Sequence, residues 1–291
     1  MTNLKLKRGL YIQGITWFIL SLAISVLNDV IAKYTGDNLP GIQVAFLRFT
    51  FSVITLLPFM FYYGKSSFNT ERPSLHIIRG ALLFVGITLW CYGLRVVPLA
   101  SATVINFTIP FFVLFLASIF LKEKVGLMRW FATIVGFIGI YIVLDPNSSS
   151  FHMHSLILLI SALMFASLDV INKKYVIKET MLSMLFYSAL ATTVMSMPFA
   201  LYKWVTPSIQ ELGLLFVLGG GANLILFMLL KAFALVDASA AAPFRYVELF
   251  LSVLLGYYFF NEVLVSSFWL GAVIIVSSSF FVGYMESRRQ D

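Results

Sequence analysis

Charged side chains are scarce in this chain. They make up 11% of its 291 residues, while 60% of the residues are hydrophobic. A soluble globular domain carries about 25% charged residues, because its surface must stay wetted. A water-soluble fold of this composition is therefore excluded. Cysteine is nearly absent as well: Cys91 stands alone inside an apolar run, so no internal disulfide can form. Histidine is rare, and His152-x-His154 has no Cys, Asp or Glu at ligand spacing, so no metal site is expected. The chain also lacks a glycine-rich phosphate loop, a nucleophile elbow and a zincin motif. ATP hydrolysis by this chain alone finds no support, no cofactor is expected, and the protein is not read as an enzyme.

What the chain has in abundance is long apolar runs. About 20 consecutive apolar residues suffice to cross a bilayer as a helix. Ten such runs are predicted, at roughly 10–32, 42–62, 74–94, 98–121, 127–144, 152–173, 181–201, 209–233, 239–260 and 266–284. The expected fold is an all-α polytopic membrane protein. The first run follows Lys5, Lys7 and Arg8 as a signal peptide would, but it is too long for one and ends in Asn28-Asp29 rather than small residues. It reads as a retained helix. The net charge of +7 is explained by orientation better than by nucleic acid. With the amino terminus inside, 14 Lys/Arg fall in cytoplasmic segments, and only Lys33, Arg95 and Lys203 fall on the opposite side. The positive-inside rule then predicts both termini in the cytoplasm. A lipid bilayer and a small-molecule substrate are the expected partners; the residues leave oligomeric state open.

The two halves of the chain match each other. At a shift of 140, Ser21, Asp29-Val30-Ile31 and Lys33 fall on Ser161, Asp169-Val170-Ile171 and Lys173, and Pro58-Phe59 on Pro198-Phe199. At a shift of 139, Gly80 falls on Gly219, Glu123 on Glu262 and Trp130 on Trp269. The predicted organisation is a first five-helix repeat over 1–144, a connecting loop at 145–151, a second repeat over 152–284 and a cytoplasmic tail at 285–291. Five helices per repeat make the second copy inverted, with a substrate path expected where the copies meet.

The repeat, together with Phe120-Leu121-Lys122-Glu123 and Phe259-Phe260-Asn261-Glu262 closing the two fourth-position helices, resembles the EamA-type branch of the drug/metabolite transporter superfamily. Finer stretches, including Asn28-Asp29-Val30, residues 44–49 and residues 242–249, resemble S-adenosylmethionine uptake transporters of intracellular bacteria. The resemblance covers essentially the whole chain. It implies a bacterial inner-membrane secondary transporter that imports S-adenosylmethionine by alternating access, alone or in exchange for S-adenosylhomocysteine. Export of amino acids or other small metabolites stays open from the residues, as do coupling and direction.

A charge at the centre of a spanning helix costs roughly 2.5–3.5 kcal/mol on insertion scales, so each one needs a reason to be there. Arg245 and Glu248 lie three apart inside the ninth run, as a structural ion pair or as ligands for substrate. Asn106 occupies the position equivalent to Arg245 in the first repeat. Pro110 and Pro243 free the carbonyls of Asn106 and Ser239, which suits a cavity wall. Trp90, Tyr92, Phe107, Tyr187 and Tyr246 are the aromatic candidates for substrate contact. Asp29, Arg48 and Arg95 share an outer level where an ion pair or gate is expected, with Asp169 and Lys231 as the inner counterparts; headgroup anchoring is the competing role. Arg79 is expected to snorkel to the cytoplasmic surface, and Gly219-Gly220-Gly221 to allow close helix packing.

Overall fold

A computed structural model describes residues 2–120, 127–144, 153–175, 180–233, 235, 244 and 246–287. All regular structure among them is helical. In chain order the α-helices are α1 Thr2–Gly36, α2 Gly41–Tyr63, α3 Pro73–Leu94, α4 Leu99–Asn106, α5 Ile109–Phe120, α6 Leu127–Leu144, α7 His154–Tyr175, α8 Met181–Tyr202, α9 Ile209–Phe233, α10 Tyr246–Phe260 and α11 Ser266–Ser287. Among the described residues, seven helical stretches are long and apolar enough to cross a membrane, with α4 and α5 counted as one stretch. Shorter apolar helices lie at Ile134–Val143, Val247–Phe260 and Ser266–Ser278.

The polar breaks between helices carry the signals that stop and start them. Pro73 opens α3, where its missing N–H costs nothing. Thr180 caps α8 by accepting from the Ser183 N–H. Ser208 and Glu211 form a reciprocal capping box at the start of α9, with Ser208 N donating to Glu211 Oε2 at 2.7 Å and Glu211 N to Ser208 Oγ at 3.2 Å. The predicted fourth crossing is broken in two. Around Phe107-Thr108 the bonds tighten to an i→i−3 pattern, Thr108 N reaching Ile105 O at 3.0 Å, and α5 begins just before Pro110. Such a break is what a proline imposes on the turn preceding it.

The packing partners of the two halves exchange. α1 packs on α9 as α7 packs on α3, and α2 packs on α9 as α8 packs on α3. Glycines let these pairs approach. A Cβ on Gly80 of α3 would meet Ala191 Cβ at 2.5 Å and Thr192 N at 3.2 Å on α8. A Cβ on Gly219 of α9 would meet Phe51 Cβ at 2.7 Å and Ser52 N at 2.8 Å on α2. Phe51-Ser52 and Ala191-Thr192 are themselves related by the 140-residue shift, so one contact is built twice. The triple glycine of α9 is thus a packing face within a continuous helix, as expected. α6 and α11 pack against each other, where a Cβ on Gly271 would meet the Gly139 carbonyl at 2.7 Å.

Candidate functional site

Among the polar contacts that join the halves in the described residues, two assemblies contain charged groups buried or half-buried in the bundle. The first lies at the bundle end that carries Lys33, and its opposite charges are paired with each other. Lys33 is 7% exposed. Its Nζ sits 3.0 Å from Glu262 Oε1, donates to the carbonyls of Leu94 at 2.8 Å and Val97 at 2.7 Å, and lies 5.3 Å from the centre of the Phe260 ring. The other oxygen, Glu262 Oε2, accepts the Leu99 N–H at 2.7 Å and so caps the start of α4. Further contacts across the halves surround this pair. Gln43 exchanges two hydrogen bonds with Val205, and Asn38 Nδ2 donates to Glu211 Oε1 at 3.0 Å.

The second assembly lies deeper and is only partly satisfied. Trp90 Nε1 on α3 donates to Asp29 Oδ1 on α1 at 2.9 Å. Arg48 of α2 and Glu248 of α10 are within electrostatic reach of that carboxylate. Ser25 Oγ, one turn before Asp29, lies 3.4 Å from Glu248 Oε1. Trp90 is 3% exposed and held edge-on by Phe165 at 6.5 Å, whereas Asp29, Arg48 and Glu248 each stay partly exposed. Arg48 Nε is buried with no hydrogen-bond partner among the described residues. The backbone here is close-packed: a Cβ on Gly219 would lie 2.6 Å from the Arg48 carbonyl, and one on Gly221 would lie 2.5 Å from Asn28 Oδ1. α10 is tied to α4 beside the cluster, with Thr103 Oγ1 and Ser252 Oγ 2.7 Å apart and Ser252 bonded to the Glu248 carbonyl.

The remaining sequence candidates scatter. Arg245 and Pro243 lie outside the described residues, as does the Tyr246 side chain. Asn106 ends α4 at the break, its Oδ1 buried without a hydrogen-bond partner among the described residues. Phe107 packs into an apolar cluster with Phe268, Ala272 and Ile275. Tyr92 is exposed and faces His154 at 5.1 Å. Tyr187 donates to the Phe68 carbonyl at 2.6 Å, tying α8 to the turn after α2. Arg95 is exposed and donates to the Asp37 carbonyl rather than meeting Asp29. Lys33 and Glu262, not Arg95 and Asp29, form the ion pair at this level. Asp169 is exposed on α7, and Lys231 is exposed with its Nζ 5.6 Å from the Phe227 ring centre. Arg79 does not snorkel: it is buried at 6% exposure, because α8 packs over α3 at Gly80.

Two cavities lie elsewhere in the bundle, one toward the start of α3 and one along α1. One of about 440 Å³ is lined by α3, α5 and α7 residues such as Ile78, Leu116 and Ser167. The other, about 800 Å³, lies between α1, α9 and the end of α10, lined by Asn28, Val30 and Gly221 among mostly apolar residues. Both suit apolar contents. The Asp29 cluster brings both signs of charge together inside the bundle.

Comparison with known proteins sets this geometry in a family. The model of the EamA-like transporter family matches twice, over residues 12–145 and 153–284. A relative from Rickettsia conorii, named an S-adenosylmethionine uptake transporter, is 52% identical over 96% of this chain and 95% of its own. A riboflavin transporter from Vibrio cholerae is 33% identical over 96% of this chain and 95% of its own. One solved structure, described only as a crystal structure of a protein, shares the fold with a TM-score of 0.64 and 17% identity, covering 98% of this chain and 99% of that one. The chain is a multi-pass membrane protein and a transporter, not an enzyme, and it belongs to the EamA-like transporter family.

Proposed function

We propose that the protein imports S-adenosylmethionine across a bacterial inner membrane by alternating access, with S-adenosylhomocysteine as the exchanged counter-substrate. The substrate rests on one observation, the 52% identity over 96% of the chain to a relative named for S-adenosylmethionine uptake. The chain crosses the membrane ten times as two inverted five-helix repeats, with both termini cytoplasmic. Support for the inversion comes from the exchanged helix partners and from the odd number of runs per half. Under this orientation the Lys33 end is the outer end, and the Lys33–Glu262 pair holds it closed.

The chemistry of the ligand fits a mid-bundle cluster of both charge signs. S-adenosylmethionine brings a carboxylate, an ammonium, a sulfonium and an adenine ring. Arg245 is the partner for the carboxylate, since a guanidinium fork matches its two oxygens. Glu248 is the partner for the ammonium, and Asn106 offers an amide at the break of the fourth crossing.

Uptake of radiolabelled S-adenosylmethionine into proteoliposomes tests the substrate. Preloading with S-adenosylhomocysteine is expected to accelerate uptake, and free methionine or adenosine to compete poorly. Equal competition by methionine would make the protein an amino-acid carrier. For topology, a cysteine at exposed Lys203 is expected to label from outside intact cells and one at exposed Lys65 only from inside. The reverse pattern overturns the orientation.

A further inference from the structure

Asp29 is a charged group whose described partners do not balance it. Among the described residues it accepts one hydrogen bond, from the neutral Trp90 indole N–H at 2.9 Å, and it forms no ion pair. A second carboxylate, Glu248, is within electrostatic reach. Arg48, the described cation within reach, also forms no ion pair among these residues, and its buried Nε finds no acceptor there. Lys33, one turn further along α1, is fully matched. A carboxylate inside a membrane bundle with only a neutral donor is an expensive group to keep, and such groups mark substrate paths. The donor is itself immobilised, since the Trp90 ring is buried and packed edge-on against Phe165, so the carboxylate is held in one place. A carboxylate hydrogen-bonded to the edge of an aromatic ring makes a negative, weakly hydrated corner. That corner suits a soft cation with no N–H to donate better than it suits an ammonium, which prefers several acceptors.

Resting on the transport reading above, we propose that Asp29, held in place by Trp90, is the residue that distinguishes a sulfonium substrate from its neutral thioether. The Asp29 carboxylate neutralises the sulfonium through space, and the buried Trp90 fixes that carboxylate by its N–H. A thioether brings no charge to this corner and leaves the carboxylate unmatched. The two compounds otherwise share the same adenosine and amino-acid ends, so the difference between them is read at this position.

The experiment compares wild type, Asp29→Asn, Asp29→Glu and Trp90→Phe in proteoliposomes. It measures the KM for S-adenosylmethionine and the inhibition constant of S-adenosylhomocysteine for each. Asparagine keeps the size and can still accept from Trp90, so Asp29→Asn is expected to insert. It should raise the sulfonium KM about tenfold or more, as loss of an ionic partner does, while the thioether constant moves less than about threefold. Asp29→Glu keeps the charge and should keep the sulfonium preference with weaker binding. Trp90→Phe keeps a ring but loses the N–H, and should weaken the preference in the same direction as Asp29→Asn by a smaller factor. Equal weakening of both compounds in Asp29→Asn, an unchanged preference, or loss of preference in Asp29→Glu overturns the proposal. Wild-type protein that takes up neither compound overturns the transport reading itself and this proposal with it, an outcome visible before any variant is compared.

Discussion

Asp29 and Lys33 lie four residues apart on α1 and stand in opposite electrostatic situations. Lys33 is closed off and matched by one carboxylate, two carbonyls and an aromatic ring. Asp29 stays partly exposed and has a single neutral donor among the described residues. Both charges are costly in a bilayer, but the cost is offset in different ways. Around Lys33 the protein supplies every partner, so the arrangement contributes to holding the helices together. Around Asp29 the described residues leave a deficit that a ligand can fill. A single helix therefore carries a charge matched by the protein at its end and, a turn deeper, one that the described residues leave unmatched.

That contrast yields measurements that can break it. Lys33→Met or Glu262→Gln alone leaves the other charge unmatched, and each is expected to destabilise the protein by about 3–5 kcal/mol in thermal unfolding. The double variant should recover most of that loss, since the side-chain amide introduced by Glu262→Gln can still accept the Leu99 N–H. No recovery in the double variant would mean that the pair is not the lock. A smaller effect is expected at the glycines. Gly80→Ala and Gly219→Ala overpack equivalent contacts and should each cost about 1–3 kcal/mol. Only Gly219→Ala presses on the Arg48 carbonyl, so only it should also alter substrate KM. Equal effects on KM would erase the distinction between the two contacts. The smallest stability change is expected from Arg48→Met, within about 1 kcal/mol, because no described ion pair is lost when the charge is removed. Its uptake should nevertheless fall. If Arg48→Met unfolds the protein as readily as Lys33→Met, the difference between structural and functional charge fails.

Hydropathy is enough to locate the helices, because a spanning helix must be apolar along its whole length. Runs predicted at 42–62, 181–201 and 209–233 agree within a residue with α2, α8 and α9. The break at Asn106–Thr108 is readable from Pro110, since a proline removes a local bond wherever it stands. The Lys33–Glu262 pair is not, because its partners are far apart in the chain and nothing local joins them. A signal does exist: Lys33 and Glu262 are both positions that recur in the repeat, as Lys173 and Glu123. Hydropathy also misleads at Arg79. A basic residue near a helix end looks like an interfacial anchor, and only the packing of α8 over Gly80 buries it. The Asp29–Trp90 bond likewise depends on how α1 and α3 rotate against each other, which periodicity leaves free.

The contact built twice, Gly80 on Ala191-Thr192 and Gly219 on Phe51-Ser52, has a consequence for how such a chain could arise. Each half presents the same pair of surfaces, one glycine face and one receiving face, and each face is used on the other half. A single five-helix chain with both faces could therefore dimerise with an oppositely inserted copy of itself, without any surface that the fused chain lacks. Fusion would then fix the two orientations and free the copies to diverge. The divergence is legible at the receiving face, where one half carries Arg48 and the other Ser188 at the equivalent position. The packing faces thus repeat in the two halves, whereas the charge at this position stands in one of them.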